Sequence, residues 1–383
     1  MPCPRTDRFN QESSGHSAMA EIRAEFVAKS FGAFHAVKGV NFTVEHGSFF
    51  VILGPSGCGK TTTLRMIAGL ELPTSGRILL DREDVTALPA SARDIAFVFQ
   101  LFALYPHMNV RQNIGFPLRC QNFSRAEIKK SVDEAAKLLR IDHLLDRRVG
   151  GLSGGDRQRV ALGRAIVRRP KAFLMDEPLG ALDSEFRRLM CGELRELHDR
   201  IDATSIYITH DQLEAMAMAD RIAVMNGGLV EQVGTPQEIY DRPKTMFVAD
   251  FIGAPPMSFL GVNTALRRGD RVIRIDGAAV EMPELFEDRT EARFALGVRP
   301  ENVSFADSSP LRGRVIGAEY LGTTQIVTVT TANGRLRARL PSGKPVRVGE
   351  TVGLRLRPDR LSLFDAGSGQ VLSTALSAGE RHG

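Results

Sequence analysis

Tryptophan is absent from the 383 residues, and cysteine is scarce, with only four. Those four (Cys3, Cys58, Cys120 and Cys191) are scattered without C-x-x-C spacing. The pattern excludes a thiolate zinc site or a disulfide framework and fits reduced thiols in the cytosol. No uninterrupted apolar run approaches the roughly 18 residues that a membrane-spanning helix needs. Residues 1–18 have no apolar segment and are not expected to be a signal peptide. They read as a disordered leader, with Met19 as an alternative start. The net charge of +5 would suit nucleic acid, but no long basic block is interleaved with aromatics. A generally basic surface, compatible with a nearby anionic membrane face, is the better reading. What remains is ordinary for a globular chain of two or three domains: 43% hydrophobic and 25% charged residues, with no internal repeat.

The most informative residues are Gly54-Pro55-Ser56-Gly57-Cys58-Gly59-Lys60-Thr61, a complete G-x-x-x-x-G-K-T phosphate loop. It follows the apolar run Phe49–Leu53, which reads as a buried strand, and precedes Thr62–Ala68, which reads as a helix. That strand–loop–helix setting is what the motif requires. The glycines let successive backbone N–H groups point inward at phosphate oxygens, helped by the helix N-terminus. Lys60 is placed along the β- and γ-phosphates, and the Thr61 hydroxyl is suited to ligate Mg²⁺. The chain is therefore expected to bind a nucleoside triphosphate.

A second run, Ala172–Met175, ends in Asp176-Glu177-Pro178. The carboxyl ends of parallel strands carry the ligand crevice, so both acids are expected to face the phosphates. Asp176 is suited to hold Mg²⁺, and Glu177 to orient and deprotonate the attacking water. A solvated acidic loop is the alternative.

Up to about residue 255, short apolar strands alternate with helical stretches, as in a mostly parallel α/β sheet. A helix is predicted over Ser124 to Leu145, with Ser124 and Glu127 spaced as a capping box and apolar residues at helical intervals. Gly253-Ala254-Pro255-Pro256 breaks the chain. Beyond it the period becomes two, as in residues 325–329 and 335–340, with Asn333-Gly334 marking a hairpin. Residues 256–366 are predicted to form a small β-barrel-like domain, and those from Gly367 a flexible tail.

Leu152-Ser153-Gly154-Gly155-Asp156 places a hydroxyl and two glycines before an Arg-rich helix, a start suited to an anion. Here the chain resembles the ATP-binding subunits of ABC transporters, whose signature is L-S-G-G-Q, with the motifs spanning residues 31–210 in the family's order. The resemblance implies a P-loop nucleotide-binding domain with an inserted helical subdomain. It makes Gln100 the Q-loop glutamine, close to Mg²⁺ and the attacking water, and His210 the switch histidine at the γ-phosphate. It places Asp183 in the D-loop and Phe31 against adenine, with Thr62 also among the nucleotide contacts. Taken alone, Phe31 could equally be a core residue and His210 a packed or surface one. Asp156 departs from the family's glutamine. Its charge could slow hydrolysis by repulsion or turn toward the following arginines; the intact Ser153, Gly154 and Gly155 favour a working ATPase.

In this family the signature of one domain covers the nucleotide held by another, so a chain with one of each is implied to pair with itself or a related subunit. The apolar segment Leu101–Met108 is implied to abut a permease; local core packing is its alternative. Residues 252–260, Gly297–Glu301 and Leu361–Asp365 resemble the importers of sugars and glycerol phosphate. The C-terminal domain is thereby implied to be an OB-like (TOBE) regulatory module. Barrels of this type also bind oligonucleotides, but few aromatics are available here to stack bases. The expected role is the ATPase of a bacterial sugar or polyol importer at the cytoplasmic face of the inner membrane. It would work with two permease subunits and, indirectly, an external solute-binding protein. A polyamine or ferric-ion importer is the alternative within the class, and a soluble non-transport ABC ATPase the alternative outside it.

Overall fold

The computed structural model describes residues 20–379 apart from 101, 181, 202 and 290–292. The expected leader, Met19 and Cys3 lie outside the described residues, as do Leu101 and the end of the expected tail. Two compact units are present. One is formed by the chain up to Ile52 with Ser56–His210, the other by Leu53–Pro55 with the chain from Asp211 onward.

The first unit runs β1 (Ile22–Phe31), β2 (Phe34–Val44), β3 (Phe49–Leu53), α1 (Lys60–Ile67), β4 (Ser75–Leu80), β5 (Glu83–Asp84), β6 (Ile95–Val98), α2 (Val110–Cys120), α3 (Arg125–Leu138), α4 (Gly154–Ile166), β7 (Ala172–Asp176), α5 (Ser184–Ile201) and β8 (Thr204–Thr209). One sheet has the order β2-β1-β4-β5; another contains the run β3-β8-β7-β6, with β6, β7 and β8 parallel. All five residues of β3 and all six of β8 are buried. Strands covered on both faces read as unbroken apolar runs, which is why β3 was legible.

The predicted capping box is present: Ser124 Oγ accepts from the Glu127 N–H at 3.3 Å, and Glu127 Oε2 from the Ser124 N–H at 2.8 Å. The helix nevertheless ends at Leu138 rather than continuing to Leu145. Arg140 takes a left-handed φ of 56°. The Ile141 N–H then reaches back to the Ala136 carbonyl at 2.9 Å, and the Arg140 N–H to that of Lys137 at 3.1 Å. This is a Schellman termination with arginine where glycine usually stands, so no residue type announced it.

The second unit opens with α6 (Gln212–Met218), the hairpin β9 (Arg221–Asn226) and β10 (Leu229–Gly234), α7 (Pro236–Asp241) and α8 (Met246–Phe251). Strands follow: β11 (Ser258–Asn263), β12 (Val272–Ile275), β13 (Ala278–Glu281), β14 (Arg293–Val298), β15 (Val303–Phe305), β16 (Arg312–Tyr320), β17 (Thr324–Thr331), β18 (Gly334–Pro341), β19 (Thr351–Leu356) and β20 (Ser362–Asp365). They pair as β11-β14-β20, β12-β13 and β15-β19-β16-β17-β18, around a shared core that includes Leu260, Phe294, Val327, Leu336 and Leu363. Thr331 faces Gly334 across the β17–β18 hairpin, so its turn is Ala332-Asn333, one residue earlier than predicted.

The expected boundary at 255 falls inside this unit. Arg299, 3% exposed, donates to the carbonyls of Ala249 (3.1 Å), Ile252 and Tyr240 (2.9 Å), tying the helical segment to the strands. The tail expected to be flexible from Gly367 is packed instead, as far as 379. Leu372 is 1% exposed within the strand core, and its N–H donates to Leu363 at 2.7 Å. The short run Val371-Leu372 among Ser, Gly and Thr leaves too little pattern to read in advance. Among the described residues, no helix is long and apolar enough to cross a membrane.

Candidate nucleotide site

The phosphate loop leaves β3 and turns directly into α1. Gly57 and Gly59 have φ of 78° and 105°, in the region that residues bearing a Cβ avoid, and Gly59 occupies the N-cap of α1. Ser56, Gly57 and Thr61 are exposed and Thr62 half-buried, while Lys60 is buried at 5% exposure. Cys58 is buried, and burial pushes its thiol up against the pull of Lys60, the mark of a packing thiol rather than a nucleophile.

Thr61 Oγ1 donates to Asp176 Oδ1 at 3.1 Å, bringing the loop and the end of β7 together as the sequence predicts. Burial raises the Asp176 carboxyl above the usual range, and the Glu177 carboxylate adds to this; the Thr61 hydrogen bond and the charges of Arg65 and Lys60 oppose it. A hydroxyl and a carboxylate side by side are hard oxygen donors of the kind Mg²⁺ takes, and a cation there would relieve the cost of burying the charge. Among the described residues, no group of three or more His, Cys, Asp or Glu could hold a metal. Mg²⁺ bound through one carboxylate, one hydroxyl and phosphate oxygens requires no such cluster.

Glu177 follows Asp176 with a left-handed φ of 44°, which turns its side chain away from the strand direction at a steric cost. Its carboxylate lies between two other predicted residues. Gln100 Nε2 donates to Oε2 at 3.5 Å, and His210 Nδ1 lies 3.3 Å from Oε1. The solvated-loop alternative does not describe this arrangement. Phe31 is 49% exposed beside the turn at Gly32, with the Lys29 ammonium 5.0 Å from its ring centroid. It is therefore not a core residue.

The signature residues form a separate group at the start of α4. Ser153 caps the helix, accepting from the Asp156 N–H at 3.2 Å, and its hydroxyl donates to Asp156 Oδ2 at 2.7 Å. Asp156 turns toward the arginines: Arg159 reaches its Oδ1 at 3.3 Å while also contacting both oxygens of Glu193 at 3.0 and 2.8 Å. A Cβ on Gly155 would come within 2.3 Å of the Phe186 ring, so only glycine lets α5 approach this closely. Asp183 accepts from the Phe186 N–H at 2.9 Å, which makes it the cap of α5. The turn of Asp156 toward a following arginine was one of the two expected outcomes, whereas the contributions of Phe186 and Glu193 were not foreseen. Phe186 and Glu193 lie 30 or more positions from the residues they touch, and no local spacing reports such contacts.

Comparison with known proteins identifies the family. The ABC transporter family matches residues 37–180, and the TOBE domain residues 296–364. The chain is 46% identical over 354 residues to the sulfoquinovosyl glycerol transport ATP-binding protein SmoE of Agrobacterium fabrum, covering 91% of this chain and 98% of that one. It is 41% identical over 394 residues to the trehalose import ATP-binding protein SugC of Mycobacterium tuberculosis, covering 93% and 99%. Identity to the sn-glycerol-3-phosphate import ATP-binding protein UgpC of Cereibacter sphaeroides is 46% over 359 residues, covering 92% and 100%. Among solved structures, cbiO1 of Clostridium perfringens, part of the cbiONQ transporter complex, superposes with a TM-score of 0.54 at 30% identity, covering 58% of this chain and 91% of that one. A bacterial ABC transporter cassette solved as a dimer gives 0.51 at 31%, covering 56% and 98%.

Proposed function

The chain belongs to the ATP-binding subunits of ABC importers, which hydrolyse ATP to drive transport, and on that premise we propose how its residues do so and for what cargo. The observation that carries the reading is the Glu177 carboxylate held between Gln100 and His210, one residue from the Thr61–Asp176 pair. Glu177 takes the proton of the attacking water, Gln100 orients that water, and His210 lies toward the γ-phosphate. Lys60 and the N–H groups of residues 54–62 hold the phosphates, and Phe31 stacks on the base. Thr61 and Asp176 hold Mg²⁺, which when bound would neutralise charge on the phosphate oxygens.

Two copies, or one copy and a related subunit, face each other so that Ser153, Gly154, Gly155 and Asp183 of each cover the nucleotide of the other. The cassette solved as a dimer supports pairing of two copies. The segment from Phe102 to Met108 faces a permease pair at the cytoplasmic side of the membrane, and an external binding protein delivers the cargo. The relatives named above transport trehalose, sulfoquinovosyl glycerol or glycerol phosphate, which points to a carbohydrate or polyol derivative. They favour this cargo over polyamines or ferric ion, and transport over a soluble role.

Replacing the carboxylate by its amide isolates the chemical step. Glu177→Gln is expected to lower turnover by at least about a hundredfold while ATP affinity stays within twofold, and to accumulate an ATP-bound dimer on sedimentation. Turnover near wild type would remove Glu177 from the base role. Uptake by a deletion strain offered a panel of sugars and glycerol phosphates identifies the cargo.

A further inference from the structure

Between β6 and α2 the chain passes through a loop, residues 99–109, that holds Gln100 near its start and Tyr105 further along. Phe102 and Ala103 both take left-handed backbone angles, φ 58° and 46°. Neither is glycine, and side chains bearing a Cβ hold that conformation only when something outside the loop compensates. The compensation is visible in Arg164, on the last turn of α4. Its Nη1 donates to the Ala103 carbonyl at 2.6 Å and its Nη2 to the Phe102 carbonyl at 2.8 Å. The guanidinium lies 5.5 Å from the Tyr105 ring centroid. From the other side Asn113, fully buried on α2, accepts from the Tyr105 N–H at 2.8 Å and donates to the Tyr105 carbonyl at 3.1 Å. Among the described residues no carboxylate pairs with Arg164, and burial lowers its pKa. A half-buried cation with two of its donors on backbone carbonyls is a shape-setting device: its planar fork fits two successive carbonyls, which a lysine cannot do.

We propose that Arg164 is a positioning residue for hydrolysis, its guanidinium fork holding Phe102 and Ala103 in the left-handed turn that presents Gln100 to Glu177. The inference rests on the roles given above to Gln100 and Glu177. Arg164 sits on the same helix as Ser153 and Gly155. Movement of α4 against the nucleotide of a second copy would thus pull on the loop that carries Gln100.

The test is a double-mutant cycle on the full-length chain, read as Mg-ATP turnover with ATP affinity measured separately. Arg164→Ala is expected to lower kcat about tenfold with KM for ATP within twofold, and Arg164→Lys to fall between, because one ammonium replaces one of two bonds. Combined with Gln100→Ala, Arg164→Ala should add little further loss, since both remove the same presentation. If the losses multiply, or if Arg164→Ala keeps wild-type kcat, the positioning role is wrong. If Gln100→Ala alone leaves kcat unchanged, it is the reading of Gln100 that fails. Should Arg164→Ala not fold, the cycle is run with Arg164→Lys, and a multiplied loss there overturns the proposal equally.

Discussion

At the scale of single residues, the departure at Asp156 is where local chemistry and family pattern pull apart. The carboxylate is engaged twice, by the Ser153 hydroxyl and by Arg159, so its charge is partly answered within α4 itself. Arg159 does not depend on it, being held by both oxygens of Glu193. Asp156→Gln should leave the fold intact and free the Ser153 hydroxyl from a charged acceptor. In the paired arrangement proposed above it would also remove a negative charge near the triphosphate held by the second copy. We expect turnover to rise about two- to tenfold, equivalent to roughly 1 kcal/mol of repulsion, with ATP affinity within twofold. Steady-state hydrolysis paired with equilibrium nucleotide binding separates the two; altered affinity at constant rate would contradict it.

At the scale of elements, helix ends carry the lesson. The start of α3 was legible because Ser124 and Glu127 act over three residues of sequence. Its end was not, because Arg140 adopts φ 56° where only glycine would have signalled a stop. The Arg140 side chain is exposed and, among the described residues, its one ion pair is a 3.9 Å pairing with Glu196, which contributes little in water. Arg140→Gly is therefore expected to stabilise the protein by about 0.5–1 kcal/mol, as relief of left-handed strain outweighs the added freedom of the unfolded chain. Chemical denaturation measures it; destabilisation would show that the αL cost is already met by packing.

Across the whole molecule, the contacts that assemble each unit join residues remote in sequence. In the second unit Tyr240 donates to Glu301 Oε1 at 2.7 Å, and Arg299 stacks 4.2 Å from the Tyr240 ring. Burial, with the hydrogen bond and charge of Glu301, pushes the Tyr240 hydroxyl up to about 12. The unfolded chain ionises this phenol near its ordinary value of about 10, so between the two values the folded state holds a proton that the unfolded state has lost. Stability from this group is complete below about pH 10 and declines as pH rises toward 12. Tyr240→Phe should flatten that part of the curve relative to wild type in thermal melts across pH 9–12; parallel curves would deny the coupling.

The nucleotide chemistry was written in the sequence because it is carried by contiguous residues. A loop of eight, a strand ending in two acids, and a helix opening on Ser-Gly-Gly each impose their geometry locally, through backbone N–H groups, strand direction and caps. Tertiary structure decided what depends on approach between distant segments. Glu177 meets Gln100 and His210, Phe186 excludes any side chain at Gly155, Arg164 shapes a loop some 60 residues earlier, and Leu372 draws the tail into the strand core. Local sequence can encode a turn or a cap, whereas a contact between segments exists only once burial of their apolar faces has brought them together.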